Sequence, residues 1–192
     1  YLTRYIQSCD KVACNVSMRS LCRPPTIAAM APLFDVCIRG DGMVGRTLAL
    51  LLARQRLRVG LVMRANSTKE DVRAYSLNSR SRDLLSSLRC WPDPQHATPV
   101  QHMRVWGDEG GFVRFDSPTP DGLTWIVDVP VLEAQLGQAL QHQAEITCLQ
   151  QPEPAALTVI CEGRHSSTRT ELGVSFDALP YQQHAVAARV RG

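Results

Sequence analysis

The chain changes its hydrophobic period several times, and each change predicts an element. Residues 34–38 (FDVCI) are a short run rich in β-formers, residues 46–55 a run of strong helix formers dominated by Leu and Ala, and residues 57–63 (LRVGLVM) a second strand. Further along, Asn78 or Ser79 is placed to cap a helix whose Leu84, Leu85 and Leu88 share one face. Residues 101–128 alternate and are broken at 107–111 and 118–122, the pattern of antiparallel strands joined by hairpin loops. Pro130 then opens a helix over 131–141, with Leu132, Leu136, Ala139 and Leu140 on its apolar side. The order of these elements predicts an α/β domain, a βαβ core interleaved with an antiparallel β-sheet. Residues 1–29 differ, because no period of 3.6 or 2 persists and the segment ends in the breaker pair Pro24-Pro25. They read as a disordered leader, compatible with a transit peptide, or as an extension upstream of a natural start at Met30; residues 30–192 read as the folded body.

Composition narrows the class. With 192 residues, 44% of them hydrophobic, the chain has material for one ordinary core. The net charge of +3 belongs to residues 1–29, which carry Arg4, Lys11, Arg19 and Arg23 against Asp10, whereas the other 163 residues hold 17 basic and 17 acidic side chains. A balanced body argues against a nucleic-acid partner, which needs a basic face. The longest apolar run, 47–53, is too short to span a bilayer. The seven cysteines (Cys9, Cys14, Cys22, Cys37, Cys90, Cys148 and Cys161) are an odd number without CxxC pairing, and Cys37 and Cys161 lie in apolar strand-like runs. They read as reduced core thiols of a cytosolic-type protein. The histidines at 96, 102, 142, 165 and 184 show no HxxxH or HExxH spacing, and no GxSxG is present, so neither a metal site nor a serine nucleophile is expected.

The candidate chemistry lies between the first strand and the first helix. Residues 39–45 read RGDGMVG, which contains GxGxxG as Gly40, Gly42 and Gly45. In a dinucleotide site the first glycine permits the tight turn, the second lets backbone approach a pyrophosphate, and the third lets the helix pack closely. The backbone N–H groups of Gly42, Met43, Val44 and Gly45 would then face the phosphates at the positive end of the helix dipole. The flanking strand and helix supply the context that such a motif needs; a merely structural glycine turn is the alternative. Two residues depart from the pattern. The second strand ends in Met63-Arg64, where such sites carry an Asp or Glu that accepts from the ribose, so Arg64 reads either as a partner for a 2′-phosphate or as a solvated strand-end charge. Asp41 places a negative charge beside the phosphate position, with Arg39 near enough in sequence to offset part of it.

The stretch DVRAYSLNSRSRDLLSSLRCW (71–91) resembles the DxRxxALxxxSxxLLxxLGxW segment of the FAD-dependent aromatic hydroxylases of ubiquinone biosynthesis. The similarity runs on through ATPVQHMRVW (97–106), Phe115-Asp116 and WIVD (125–128). LTVICEG (157–163), with His165, Ser166 and Arg169, stands in the place of LVVGADGxxSxxR, and PYQQHAV (180–186) in that of PYxQxAV. These matches are collinear from about residue 34 to residue 191.

The resemblance implies a Rossmann-like FAD-binding unit interleaved with an antiparallel substrate sheet, with Arg73 lying against the FAD. It implies NAD(P)H as co-substrate, reduction of the flavin, and transfer of one oxygen to a polyprenylated phenol through a flavin C4a-hydroperoxide. Most of that chemistry is the cofactor's, so no catalytic side chain is named. A cytoplasmic location, peripheral contact with the inner membrane and a place in a ubiquinone-biosynthesis complex are further implications. Glu162 replaces the family's Asp, Pro130 stands where many relatives carry an arginine near the flavin, and the stretch before Leu157 is short enough that one or two strands are expected to be missing. The family's second flavin motif, a GDAAH-like segment, belongs beyond the position matching Gly192, so the chain is expected to represent the N-terminal part of such an enzyme. A non-catalytic dinucleotide-binding remnant and an NAD(P)-dependent oxidoreductase are the competing readings.

Overall fold

The computed structural model describes residues 32–64, 73–107, 109–174 and 179. Residues 1–29, Asp71 and the PYQQHAV segment at 180–186 lie outside the described residues. The first strand, β1 (Phe34–Arg39), is followed by α1 (Met43–Arg54) and β2 (Val59–Val62). Then come β3 (Ala74–Leu77), α2 (Ser79–Ser87), β4 (Ala97–Val100) and a hairpin of β5 (His102–Trp106) and β6 (Phe112–Asp116). The remainder is β7 (Thr124–Asp128), α3 (Val129–Gln141), β8 (Ile146–Leu149), β9 (Ala155–Ile160) and the short α4 (Ser167–Glu171).

Three sheets result. A parallel sheet has the order β8-β2-β1-β9, an antiparallel one the order β3-β7-β4, and β5 pairs with β6 alone. The antiparallel strands and the hairpin are thus inserted between β2 and α3, which returns the chain to the parallel sheet at β8. The expected interleaving is present. β1 carries Val36, Cys37 and Ile38 buried, as a central strand covered on both faces must. The register Val36↔Val59 and Val36↔Leu157 sets its two neighbours level, so all three strands end at one edge.

Local sequence explains the helices. Asn78 is the cap of α2, its side chain accepting from the Ser81 amide at 2.9 Å, and Leu85 and Leu88 face inward. Leu84, expected on the same face, is instead 40% exposed, because it lies one step around the helix from Leu85. Helix α3 starts two residues earlier than periodicity predicts, with Asp128 as its cap and Pro130 in its first turn, where a missing N–H costs nothing. Its Leu132, Leu136 and Leu140 pack into one core with Ile38, Leu50, Leu61, Trp125 and Val127, and Val129 is buried at its start. Full burial of such a side chain contributes about 1.5–3 kcal/mol. Among the described residues Cys37 and Cys90 are buried free thiols, Cys161 is half-buried and Cys148 is exposed, so the reading of the cysteines as core thiols fails at Cys148.

The β5–β6 hairpin divides by side. Met103, Val105, Val113 and Phe115 share one face and are about half exposed. The other face carries the His102–Asp116–Arg114 ion cluster and the Trp106–Phe112 ring pair. Among the described residues, no helix is long and apolar enough to cross a membrane.

Candidate functional site

The glycine motif closes the carboxyl end of β1 against the end of β9. Gly40 has φ +110°, and a Cβ there would lie 2.6 Å from the Cys161 carbonyl oxygen. The Cys161 amide donates to the Arg39 carbonyl at 2.7 Å, which ties the two strand ends together at the turn. Since β2 and β8 lie to one side of β1 and β9 to the other, this is the switch point of the parallel sheet, where α/β proteins form their ligand crevice. Gly42 is the cap of α1 in an extended conformation, and Arg46 donates to its carbonyl at 3.0 Å. The amides of residues 42–45 precede the Arg46 amide, the first intrahelical donor, so the helix itself offers them no acceptor. Gly45 acts somewhat differently from the expectation of packing on the strand. A Cβ at Gly45 would lie 1.9 Å from the Gly40 carbonyl oxygen and 3.4 Å from the Cys161 side chain, so the helix is pressed against its own entry turn.

A cleft of about 790 Å³ opens at this point. Gly40, Gly42, Met43 and Val44 line it from the turn and α1, Met63 and Arg64 from the end of β2, Arg73 and Tyr75 from the start of β3, and Cys161 to Arg164 with Ser167 from beyond β9. Of the residues predicted as cofactor-binding, Gly40, Gly42, Met43, Val44 and Arg73 meet in one cleft, while Gly45 is buried beneath it. A Cβ on Gly42 would meet only the Arg64 Nη2 at 3.8 Å, so a pyrophosphate has access to the backbone there. Arg73 is exposed, and its Nη1 donates to the Tyr75 hydroxyl at 3.4 Å.

The charges are paired differently from their sequence neighbourhood. Asp41 is 5% exposed and is held by Arg46 Nη2 at 3.3 Å and Arg64 Nε at 2.8 Å, not by Arg39. Burial pushes its carboxyl up, but the hydrogen bonds of Arg64 and the charges of Arg64 and Arg46 outweigh that and hold it below the usual carboxylate value. Arg46 also donates to the carbonyls of Asp41 at 2.6 Å and Glu133 at 2.7 Å, tying the glycine turn to α3. Arg64, its side chain 62% exposed, is a largely solvated strand-end charge that also serves as a counter-ion of Asp41. Arg39 instead pairs with Glu162 at 3.1 Å and Glu171 at 3.3 Å. Sequence reading missed Arg46 altogether, although an aspartate between two glycines, destined for burial, called for a cation within a turn or two. With Asp41 and Glu162 paired to arginines, Arg73 and Arg164 add positive charge to the cleft lining, beside the carboxylate of Glu133.

Glu162, read as either a cofactor support or a surface charge, is an internal acceptor. Its carboxylate accepts from the Ser166 hydroxyl at 2.7 Å, the Thr168 hydroxyl at 2.6 Å and the Thr168 amide at 3.1 Å. Burial acts to raise its pKa, but the Thr168 and Ser166 hydrogen bonds and the Arg39 charge prevail and bring it down to about 2.

No protein-family model matches the chain. It is 27% identical over 188 residues to the 3-demethoxyubiquinol 3-hydroxylase of Escherichia coli (strain K12), an alignment covering 82% of this chain and 48% of that protein. Among solved structures it is similar to p-nitrophenol 4-monooxygenase PnpA from Pseudomonas putida DLL-E4, with a TM-score of 0.61 at 15% identity over 78% of this chain and 46% of PnpA. It is also similar to the flavin-dependent monooxygenase PieE in complex with FAD and substrate, with a TM-score of 0.57 at 20% identity over 78% of this chain and 34% of PieE. The chain thus spans about half the length of that Escherichia coli hydroxylase. In sequence and in fold, the chain resembles the FAD-dependent aromatic hydroxylases, with a parallel sheet and inserted antiparallel strands.

Proposed function

We propose that the cleft at the ends of β1, β2 and β9 binds FAD and that the chain serves an FAD-dependent monooxygenase that hydroxylates a phenol with NAD(P)H as reductant. The observation that carries this reading is the meeting of the glycine turn, the amino end of α1 and Arg73 in one cleft at the switch point of the sheet. Its volume falls in the range of about 300–1,000 Å³ common to small-molecule sites. The residues fit the group: the Gly42 backbone is open, the amides of residues 42–45 suit a pyrophosphate, and the Arg73 fork suits a phosphate or ribose oxygen. When bound, FAD supplies the redox and oxygen chemistry. The chain's own residues hold and orient it. Arg46 fixes the turn through Asp41, and the arginines lining the cleft offset phosphate charge.

The finer reading is that the phenol is polyprenylated, an intermediate of ubiquinone biosynthesis, met in peripheral contact with a membrane and within a complex of that pathway. The hydroxylase from Escherichia coli supports it, and its name specifies a ubiquinol. A second reading, a non-catalytic dinucleotide-binding module, is favoured by Met63, which leaves no carboxylate at the end of β2 for the ribose. NAD(P)H consumption by the FAD-loaded protein, with and without a prenylated phenol, separates the two. Phenol-stimulated consumption and a product heavier by one oxygen support the enzyme. Tight FAD binding with no turnover supports the module.

A further inference from the structure

We infer that Tyr75 is a binding residue of the cleft: its ring is the wall on which the isoalloxazine ring system stacks. This rests on the FAD reading above. The resemblance assigns this residue nothing, since Tyr75 stands at an unspecified position of the DxRxxAL pattern. The antiparallel sheet aims it. Tyr75 lies opposite Val127, which in turn lies opposite Ala97, so the three share one face, and Val127 and Ala97 are buried. Ser76 is on the other face, where its hydroxyl hydrogen-bonds that of Thr124 at 2.8 Å and fixes which way β3 is turned. Because β3 is an edge strand of its sheet, the Tyr75 ring extends past the buried row and lines the cleft, 37% exposed.

Among the described residues that line the cleft, Tyr75 is the only aromatic one. A large ring left exposed on the inner face of a sheet forgoes apolar burial, which a stacked ligand ring restores. Its hydroxyl accepts from Arg73 Nη1 at 3.4 Å, and Arg73 Cζ stands 6.0 Å from its ring centre. Ring and fork thus lie side by side, one suited to a π-face and the other to a phosphate or ribose oxygen. The end of β2, with Met63 and Arg64, is where dinucleotide folds place the adenosine ribose. That leaves the isoalloxazine half for the side formed by the antiparallel sheet, where the electron-rich phenol ring of Tyr75 suits an electron-poor partner.

The test compares wild type, Y75F and Y75L by FAD retention on ultrafiltration, by emission per bound flavin, and by thermal unfolding. An excited flavin takes one electron from a phenol in contact with it and returns it, which quenches emission; a phenylalanine ring does not give one up. Y75F keeps the stacking surface, so it is expected to hold FAD within about twofold of wild type while its bound flavin is brighter. Y75L loses the surface as well, so its bound flavin is also brighter and its affinity falls about 2–10-fold, the scale of one aromatic contact. The brightness of Y75F decides the matter if Y75L does not unfold cooperatively. Bound flavin as dim in Y75F as in wild type, or a folded Y75L with wild-type affinity, overturns the inference while the FAD reading stands. A wild type that retains no FAD overturns the proposed function, and the inference with it.

Discussion

Replacing Arg46 with alanine tests whether the glycine turn is held by a buried charge pair. The change removes three N–H donors at once: one from the Asp41 carboxylate, one from the Asp41 carbonyl and one from the Glu133 carbonyl. Breaking a buried pair by deleting one partner costs about 3–5 kcal/mol. Arg64 stays on the other oxygen of Asp41, so the carboxylate is not orphaned, and we expect about 2–4 kcal/mol. Arg64→Ala is the internal control. Its side chain is 62% exposed, so solvent screens the pair and the loss should be about 1 kcal/mol or less. Asp41→Asn in the Arg46→Ala background should cost less than the sum of the two single changes, because the pair is already broken. Urea titration with linear extrapolation measures each difference, and a loss of 3 kcal/mol should appear as a melting point lower by about 6–12 °C in a domain of this size. An Arg46→Ala variant within about 0.5 kcal/mol of wild type, or an Arg64→Ala variant equally damaged, would refute this account of Asp41.

Other outcomes follow from the same geometry. Gly45→Ala places a methyl group 1.9 Å from a backbone carbonyl oxygen, so it should cost about 1–3 kcal/mol or more and abolish FAD binding, read by melting and titration together. Arg73→Ala should lower flavin retention while the chain still unfolds cooperatively, read by flavin absorbance and melting together. Leu136→Ala, at a position with no exposure, should cost about 2–5 kcal/mol in urea. The Glu162 carboxyl sits at about 2 in the folded chain against an ordinary 4.5, so its stabilising effect is complete above pH 4.5 and is lost as pH falls toward 2. E162Q should flatten that part of the stability curve, and an unchanged slope would contradict the pairing of Glu162 with Thr168, Ser166 and Arg39.

Much of the fold is legible in the sequence because its signals are local. Asn78 caps α2 by a contact within four residues, the hairpin turn falls at the glycines of 107–111, and the Leu132, Leu136 and Leu140 spacing points one side of α3 at the core. The glycine spacing locates the cleft for the same reason. The charge pairing is not legible, since it is decided by which strand ends meet. Arg39 is two residues from Asp41 but pairs with Glu162, because β1 lies beside β9 in register and Gly40 turns the chain between the two charges. Arg64 finds Asp41 only because β1 and β2 end level. Glu162 reads as a strand-end carboxylate until Ser166 and Thr168 fold back onto it.

The central claim is that this cleft is a flavin site, and titration of the purified chain with FAD, followed by quenching of flavin fluorescence, addresses it directly. The account predicts saturable binding by wild type, weaker binding by Arg73→Ala and none by Gly45→Ala. A natively folded wild type that leaves FAD fluorescence unchanged would contradict it.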